Sequence, residues 1–541
     1  MAVVKLNKKE LKKLIGNIEN SEIDGYLGTF GIGVEKIDGD EIEVEITPNR
    51  PDMLSSYGII RALESYTGKK LGLKEIKIKK PEKNYEIVID KSVLNIRPYT
   101  ACAIVKNLNF NDEKIKEIID MQEKLHNTLG RNRKKAAIGI YPMEKIILPI
   151  YYKALYPEDI KFQPLEFHKE LNAKQILIQH PKGREYRHLL EDYEKYPIFI
   201  DSSGEVLSMP PIINSHKTGK ISLDTKDIFV ECSGNEIEIL IKILNIIIYT
   251  LSEMGGEIYQ MKIKSKSTFV TPDLTPEKIK FSFENANKLL GINISEKEAK
   301  RLLEKMGHQY IKGFAIIPPY RADIMHENDL IEDIAIAYGY DKFIPTIPEI
   351  STIGKTDRRE DLKKRFSEIL SGLSMLETLN YHLVTKEIIK KSCGNIKDFI
   401  RVKNSRTEYE YLRKDISTNL LNIFYENSDS EYPQEIFQIG KVFNHLNEEE
   451  HLAIAISPGN FTKMKQIFNY LANSFKIEFS LNETRNFPEI FIDGRIAEVF
   501  LDGKSIGFFG EVHPKILKNF NLKMSVALLE ISIEEILTKL S

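Results

Sequence analysis

The chain has 541 residues, of which 42% are hydrophobic and 29% are charged, and its formal net charge is −2. This length predicts about three to five folded domains. The near-neutral charge excludes RNA binding through an overall positive charge, so any nucleic-acid contact needs a local basic patch or a partner subunit. The three cysteines, Cys102, Cys232 and Cys393, form no CxxC motif, which excludes a cysteine-based zinc site and is typical of a reducing compartment.

The apolar segments of the chain predict no membrane anchor. The first residues, MAVVKLNKKELKK, lack the apolar core of a secretory signal. The most apolar run, residues 237–256, contains Lys242 and is bounded by acids, so it predicts a buried helix and not a membrane span. Together with the cysteine pattern, these features predict a cytoplasmic protein.

Residues 1–82 predict an N-terminal domain that mixes helices and strands. Residues 5–18 have helical periodicity, and residues 40–47 alternate as a half-buried strand does. The turn TPNRPD then leads into an amphipathic helix over residues 53–67.

Residues 85–268 follow a lysine-rich linker at 73–84 and predict one mixed α/β domain. Short apolar segments separated by Pro and Gly predict strands throughout this region. Examples are IYPMEKIILPIYYKAL (140–155), KQILIQH (174–180), YPIFIDSSGEVLSMPPIIN (196–214) and KDIFVECSG (226–234).

Residues 270–345 predict a small domain built on a pair of helices. The first helix covers 283–290 and stops at Gly291, and the second opens at Ser295, which forms a capping box with Glu298. Such a pair occurs in DNA-binding domains, but it is more often a packed core motif.

The segment PPYRADIMHENDLIEDIAIAYGYD (318–341) concentrates four acids, Asp323, Asp329, Glu332 and Asp333. The last three share one face of a helix. Clustered oxygen ligands without Cys or His suit a hard cation such as Mg²⁺. Acids in a first helical turn also offset the helix dipole while they stay solvated, and spacing alone favours that simpler interpretation.

Residues 346–541 begin with a charged helix and continue with the strand patterns EIFQIGKVF, LAIAISP, RIAEVFLDGKSIGFFGEVHP and SVALLEIS. These patterns predict an antiparallel sheet with flanking helices, so the whole chain is expected to be an α+β multidomain protein. No P-loop, GxSxG or HExxH motif occurs in the sequence.

Several of these strings resemble one family, the beta subunits of phenylalanine–tRNA ligase. They are the acidic segment, EITPNRPDMLSSYGIIRALESYTG (45–68), KLHNTLGRNRKKAAIGIYP (124–142), LSMPPIINSHKTG (207–219), KDIFVECSG, and in the last segment NSRTEYEYLRKDISTNLLNIFYEN with YPQEIFQIGKVF. The resemblance runs in order along essentially the whole chain and is to the short archaeal and eukaryotic-cytosolic form. It implies that the four acids bind Mg²⁺, that 85–268 is an editing domain, and that 346–541 is an inactive copy of a class II synthetase core.

The resemblance also implies that the chain is an accessory subunit. A separate alpha subunit would bind ATP and charge tRNA(Phe), in a tetramer of two alpha and two beta chains. The last segment has no Gly-rich stretch ending in Arg, and adenylate chemistry needs cations directed at the phosphates. We therefore expect no synthetic catalytic residues on this chain.

An editing domain would hydrolyse mischarged Tyr-tRNA(Phe). A mostly apolar pocket rejects a hydroxylated near-isostere by only about 10²-fold, so a second site improves fidelity. The resemblance places Ser208, Asn214, Glu231 and Ser233 in that pocket, with Glu231 accepting the tyrosine hydroxyl proton. Archaeal-type members usually have Asp and Thr at the last two positions. From the residues alone, Ser208 and Asn214 could satisfy turn backbone, and Glu231 could be a paired core acid.

The basic run RNRKK (131–135) is typical of a solvated loop. In this family context Arg131, Arg133, Lys134 and Lys135 could instead contact phosphates of the tRNA acceptor end. Two other functions stay open: a structural RNA-binding scaffold with a degenerate pocket, and a free-standing deacylase of mischarged tRNA.

Overall fold

A computed structural model describes residues 2–16, 19–82, 84–349, 352–445 and 447–540. The chain divides into two compact units, Met1–Thr346 and Ile347–Ser541. Ile18, the last residue of the first expected helix, lies outside the described residues. No helix in the described ranges has both the length and the apolar character needed to cross a membrane.

The first unit opens with a small antiparallel sheet of order β1-β3-β2, covered by helices. Its elements are β1 (Ala2–Asn7), α1 (Lys8–Ile15), α2 (Asn20–Thr29), β2 (Gly33–Asp38), β3 (Glu41–Ile46) and α3 (Ser56–Tyr66). The expectation of one helix from residue 5 was wrong at its beginning. Val4 and Leu6 alternate into the core as strand residues do, and the side chain of Asn7 caps α1 by accepting from Lys9 N at 2.8 Å.

The next region of the first unit is built on a large mixed sheet of order β13-β12-β11-β8-β5-β15-β6-β14-β7, with β16 and β4 also paired to β15. Its elements are β4 (Ile78–Lys79), β5 (Glu86–Ile89), β6 (Tyr99–Lys106), α4 (Asp112–Asn127), β7 (Ala136–Pro142), β8 (Ile150–Leu155), β9 (Lys161–Phe162), β10 (Leu171–Asn172), α5 (Ala173–Gln179), α6 (Pro181–Tyr186), β11 (Tyr196–Ile200), β12 (Val206–Met209), β13 (Ile213–Asn214), α7 (His216–Gly219), β14 (Ile228–Gly234), α8 (Ile237–Glu253), β15 (Glu257–Lys264) and β16 (Thr268–Thr271).

Two expectations for this region had different outcomes. The apolar run at 237–256 does form a buried helix, α8, which packs against β6 and β14. The segment 174–180 is helix α5 and not a strand, because Asn172 and Gln175 form a capping box at its start and Ile176 and Leu177 face the core. A short apolar run cannot be assigned to helix or strand by periodicity alone.

The large sheet curls so that its two terminal strands, β7 and β13, approach each other. The Tyr141 hydroxyl on β7 lies 3.4 Å from Asn214 Oδ1 on β13. Helix α7, directly after β13, also packs against β7. This closure creates the walls of the cavity described below.

The first unit ends with a small sheet of order β17-β19-β18 and three helices. The elements are β17 (Glu277–Lys280), α9 (Phe283–Leu290), α10 (Glu296–Lys305), β18 (Gln309–Ile311), β19 (Phe314–Ile317) and α11 (Glu327–Tyr338). The expected helix pair is present, with Gly291 left-handed at φ 67° and the Ser295 side chain capping α10 by accepting from Glu298 N. The reciprocal bond of the expected capping box, from Ser295 N to the Glu298 side chain, is not formed between these two described residues. Both helices pack against α11, which supports the interpretation as a packed core motif.

The second unit contains a sheet of order β20-β23-β24-β28-β27-β26-β25, antiparallel except for the β20–β23 pair. Helices cover both faces: α12 and α15 contribute to one apolar core, and α14 and α16 to the other. The elements are α12 (Arg358–Gly372), β20 (Leu376–Glu377), β21 (Leu383–Thr385), α13 (Lys386–Lys391), β22 (Tyr409–Leu412), α14 (Ser417–Glu426), β23 (Gln434–Asn444), β24 (Asn447–Ser457), α15 (Phe461–Phe475), β25 (Ser480–Asn482), β26 (Phe491–Leu501), β27 (Lys504–Val512), α16 (Pro514–Asn519), β28 (Ala527–Ser532) and α17 (Glu534–Leu540).

Candidate active site

A cavity of about 580 Å³ opens where the terminal strands of the large sheet meet α4 and α7. Its walls are mostly apolar, with isoleucines from α4, β7 and β13 and the Pro210–Pro211 segment. This volume lies within the range of about 300–1,000 Å³ that is usual for small-molecule sites. The cavity therefore has room for an amino-acid side chain.

Three of the four residues expected in an editing pocket line this cavity: Ser208 on β12, Asn214 on β13 and Glu231 on β14. Ser233 follows two positions after Glu231, so both side chains lie on the same face of β14. Ser208, Glu231 and Ser233 are almost completely buried, with exposed fractions of 1%, 1% and 0%. The strands thus bring together residues that are 25 positions or fewer apart in sequence but belong to three different strands.

Glu231 is the most perturbed acid of the cavity. Burial raises the pKa of its carboxyl group to about 8, although Tyr141, Arg97 and Ser233 each lower it. Tyr141 donates a hydrogen bond to Oε1 at 3.2 Å. The other oxygen, Oε2, forms no hydrogen bond of ordinary geometry with the part of the chain that the structure describes. A buried acid with one unsatisfied oxygen is a candidate recognition group.

Sequence reasoning did not identify Tyr141, whose side chain is fully buried. Its ring stacks on Phe229 at a centroid distance of 5.6 Å. A Cβ atom on Gly139 would lie 2.1 Å from the Tyr141 hydroxyl, so the absence of a side chain there makes room for this phenol. The order Gly-Ile-Tyr on one strand indicates that Gly139 and Tyr141 face the same side of the sheet. The partners of Tyr141, Glu231 and Asn214, become apparent only in the folded sheet.

Arg133 forms part of the cavity wall. Its guanidinium donates to Ile212 O at 2.8 Å and to Glu123 Oε1 at 2.8 Å, and it lies over the ring of Tyr186. This side chain is only 7% exposed, so its charge is paired with Glu123 and is not directed at solvent. Of the other basic residues expected to contact tRNA, Arg131 and Lys134 are exposed, whereas Lys135 forms an ion pair with Glu236 at 2.9 Å.

Arg97 anchors the loop that carries these basic residues. Its Nη2 atom donates to Ser233 O at 2.7 Å and to Arg133 O at 3.2 Å. Because Ser233 is on β14, this buried arginine ties the basic loop to the strand that carries Glu231. Arg97 therefore connects the basic loop directly to the wall of the cavity.

His126 also lines the cavity but does not offer a base. Its Nε2 accepts from Ile138 N at 2.8 Å, so the ring proton must be on Nδ1, which lies 3.2 Å from Glu123 Oε1. Burial lowers the pKa of this histidine, which keeps the ring neutral. His126 fixes the end of α4 to β7.

The acidic segment 318–341 has a different arrangement from the expected metal site. Asp323 binds Arg321 with two hydrogen bonds of 2.8 and 2.7 Å. Asp333 lies 2.6 Å from His308 Nε2 and 2.9 Å from Arg321 Nη2. Burial alone would raise the pKa of Asp333, but Arg321 and His308 outweigh it and hold the pKa below its usual value.

The other two acids of the segment lie apart from this pair. Asp329 Oδ2 accepts from Met325 N and His326 N, both at 2.7 Å, and so caps α11. Glu332 is exposed. Among the described residues, no group of three or more His, Cys, Asp or Glu side chains is arranged to hold a metal ion. The four acids are therefore not assembled as one magnesium shell in the described residues, and binding of Mg²⁺ by them stays a prediction.

The cations around Asp323 and Asp333 extend into a buried network that sequence reasoning missed. Arg50 pairs with Asp52 through two bonds of 2.9 Å, and both residues come from the TPNRPD turn. Arg61 on α3 pairs with Glu253 at 2.9 Å. Arg50 is near enough to Asp323 to lower its pKa. Two strings that carried the family resemblance thus meet in one charge network within the first unit.

Comparisons with known proteins agree with that resemblance. Residues 279–340 match the family model described as tRNA synthetase B5 domain, and residues 344–533 match the one described as Phenylalanyl tRNA synthetase beta chain CLM domain. The phenylalanine–tRNA ligase beta subunit of Archaeoglobus fulgidus is 36% identical over 545 residues, which cover 98% of each chain. The Pyrococcus abyssi protein of the same name is 36% identical over 499 residues, 89% of each chain.

A solved structure is also similar to this chain. The crystal structure of an N-terminal fragment of the phenylalanyl-tRNA synthetase beta subunit from Pyrococcus horikoshii has a TM-score of 0.59 and 36% sequence identity. The match covers 62% of this chain and 99% of the fragment.

Proposed function

The chain belongs to the phenylalanine–tRNA ligase beta-subunit family, and from that premise we propose that its cavity hydrolyses Tyr-tRNA(Phe). A separate alpha subunit binds ATP and charges tRNA(Phe). The working complex contains two alpha and two beta chains in the cytoplasm. This chain supports the alpha subunit and hydrolyses the Tyr-tRNA(Phe) that the alpha subunit forms by mistake.

The editing proposal rests on Oε2 of Glu231. This buried oxygen accepts no hydrogen bond of good geometry from the described residues, and the Glu231 side chain lines a mostly apolar cavity. An unsatisfied buried polar atom costs about 1–3 kcal/mol, which a bound tyrosine hydroxyl recovers and a phenylalanine ring does not. A site built around such a hydroxyl discriminates against the analogue that lacks it by about 10⁴–10⁵-fold.

We propose that a water molecule, and not a protein nucleophile, attacks the ester. Among the described residues, Ser208 Oγ has no hydrogen bond to a histidine or carboxylate that could act as its base. The attack of water on the ester carbonyl carbon breaks its bond to the tRNA ribose oxygen and releases tyrosine and tRNA, with a proton passing from the water to the ribose oxygen. Ser208 and Asn214 are placed to orient the substrate or this water.

The tRNA acceptor end is proposed to lie along the basic loop beside the cavity. Arg131 and Lys134 are exposed there, while Arg133 holds the loop against the cavity wall. Contacts between lysine or arginine and phosphates add affinity without reading sequence. The loop thus keeps the ester near Glu231.

The alpha subunit is proposed to cover an apolar strip on the second unit. Leu376 and Leu379 have exposed fractions of 67% and 91%, and Tyr381 is 84% exposed. They lie along and just beyond the edge strand β20, which pairs with β23 and has no second partner strand in the described part of the chain. Contiguous exposed apolar side chains are typical of surfaces that are buried in a complex.

The test compares deacylation of Tyr-tRNA(Phe) and Phe-tRNA(Phe) by the single chain and by its complex with alpha. Glu231→Ala is expected to slow hydrolysis of Tyr-tRNA(Phe) by at least about tenfold, since it removes the acceptor. Glu238→Ala removes an exposed acid at the start of α8 and serves as the matched control, with unchanged hydrolysis.

Three results would contradict the proposal in different ways. Equal hydrolysis by the wild type and Glu231→Ala would remove the role of the cavity. No hydrolysis even in the complex would favour a structural scaffold with a degenerate pocket. Full hydrolysis by the single chain, with no association with alpha, would favour a free-standing deacylase.

A further inference from the structure

The hydroxyl of Tyr141 occupies one side of the Glu231 carboxyl group. It donates to Glu231 Oε1 at 3.2 Å and lies 3.4 Å from Asn214 Oδ1. The side chain belongs to this chain, yet it presents to Glu231 the same phenol that the proposed substrate carries. Its position therefore decides how an incoming tyrosine can reach the acid.

We infer that Tyr141 is the specificity-determining positioning residue of the proposed editing reaction: its hydroxyl holds Glu231 Oε1, so that Oε2 is left as the acceptor for the hydroxyl of the substrate. This inference rests on the proposed function. Tyr141 acts through Glu231 and does not itself contact the reacting ester.

The surroundings of Tyr141 favour a fixed phenol over one that the substrate displaces. Its side chain is 0% exposed and its ring stacks on Phe229. Gly139, which is directly opposite Glu231 in the pairing of β7 with β14, leaves the space that the hydroxyl fills. Displacement would require this packed ring to leave the core, whereas a substrate that uses Oε2 needs no such movement.

The electrostatics agree with a positioning role. Burial raises the pKa of Glu231, and the hydrogen bond from Tyr141 opposes that rise. Loss of the hydroxyl should therefore raise the pKa of Glu231 further above 8 and leave less of the ionised form, which is the stronger acceptor. Hydrolysis of Tyr-tRNA(Phe) should then require a higher pH.

The test substitutes Tyr141→Phe in the alpha–beta complex and measures hydrolysis of Tyr-tRNA(Phe) and Phe-tRNA(Phe) across neutral and alkaline pH. The ratio of the two rates is expected to fall by about tenfold or more, and the rising limb of the pH profile is expected to move to higher pH. The matched control is Tyr249→Phe on α8, which removes another buried hydroxyl that donates to Lys74 O at 3.1 Å. This control should lose thermal stability but keep the wild-type ratio and pH profile.

A second readout does not depend on editing. Infrared difference spectra of the complex follow the carbonyl band of a protonated buried carboxyl group, which is assigned to Glu231 by its loss in Glu231→Gln. In Tyr141→Phe this band should persist to higher pH than in the wild type. An unchanged titration would overturn the positioning role whether or not the complex hydrolyses tRNA.

The remaining outcomes separate this inference from the proposed function. A wild-type complex that hydrolyses neither substrate would remove the proposed function. An active wild type with an unchanged ratio in Tyr141→Phe would overturn this inference alone. Faster hydrolysis of Tyr-tRNA(Phe) by Tyr141→Phe would also overturn it, because it would show that Tyr141 competes with the substrate for Glu231.

Discussion

Replacement of Arg321 by Met tests whether this arginine, and not a metal ion, neutralises the acidic segment. Arg321 is 1% exposed and pairs with Asp323 and Asp333, whose side chains are 10% and 5% exposed. Removal of one partner of a buried ion pair costs about 3–5 kcal/mol, because a buried charge stays uncompensated. We expect the free energy of unfolding of the first unit to fall by about this amount. The loss should not be larger, because His308 still contacts Asp333 in the variant.

The pH dependence gives the sign of the effect. In the wild type the pKa of Asp333 is below its usual value, so its stabilising contribution is present at neutral pH and is lost as the pH falls through the folded-state pKa. Without Arg321, burial dominates and raises the folded-state pKa above the unfolded one. The variant therefore binds a proton on folding, and its stability deficit should shrink as the pH falls from neutral toward the unfolded-state pKa.

The assay is chemical denaturation of the full chain followed by circular dichroism at neutral and mildly acidic pH. Arg301→Met, which removes an exposed arginine on α10, is the matched control and should be within about 0.5 kcal/mol of the wild type. The double variant Arg321→Met with Asp333→Asn should recover part of the loss. A deficit below about 1 kcal/mol that does not change with pH would refute the buried-charge reasoning.

Four further predictions concern the metal, the cavity and the partner surface. Removal of divalent cations with a chelator should leave thermal unfolding of the single chain unchanged, and a clear loss of stability would contradict the assignment of Arg321 as the counter-ion. Hydrolysis of Tyr-tRNA(Phe) should rise with pH around pH 8, the pKa of Glu231, and a profile that is flat there would contradict its role as ionised acceptor. Gly139→Ala should disturb the cavity, because the added methyl group would lie 2.1 Å from the Tyr141 hydroxyl; a cost of about 1–3 kcal/mol and weaker discrimination between the two tRNAs are expected by denaturation and deacylation assays. Leu379→Asp with Tyr381→Asp should weaken association with alpha by more than about tenfold in sedimentation experiments without unfolding the chain, and unchanged association would exclude this surface.

Local signals in the sequence were sufficient where the determinants lie close together. The helix α9 ends at Gly291 and α10 begins after Ser295, as the capping pattern indicates, because both caps depend on residues within one turn. Helix α8 was recognisable from its length and apolar content. The alternation of buried residues in β3 likewise fixed its strand character.

Sequence reasoning failed where distant segments decide the outcome. The sequence suggested a cation site at Asp323 and Asp333 but did not show that Asp333 contacts His308, which is 25 residues away and meets it only in the folded chain. Tyr141 acquired its role because the sheet curls and brings β7 to β13. In the basic loop, nothing local distinguished the buried Arg133 from its exposed neighbours.

Accumulation of Tyr-tRNA(Phe) during charging is the most direct test of the account. The alpha–beta complex is supplied with ATP, tRNA(Phe) and an excess of tyrosine, and the mischarged product is counted for the wild type and for Glu231→Ala. The account requires little Tyr-tRNA(Phe) with the wild type, a rise of at least about tenfold with the variant, and equal charging with phenylalanine in both. Equal accumulation of Tyr-tRNA(Phe) by the two complexes would contradict it.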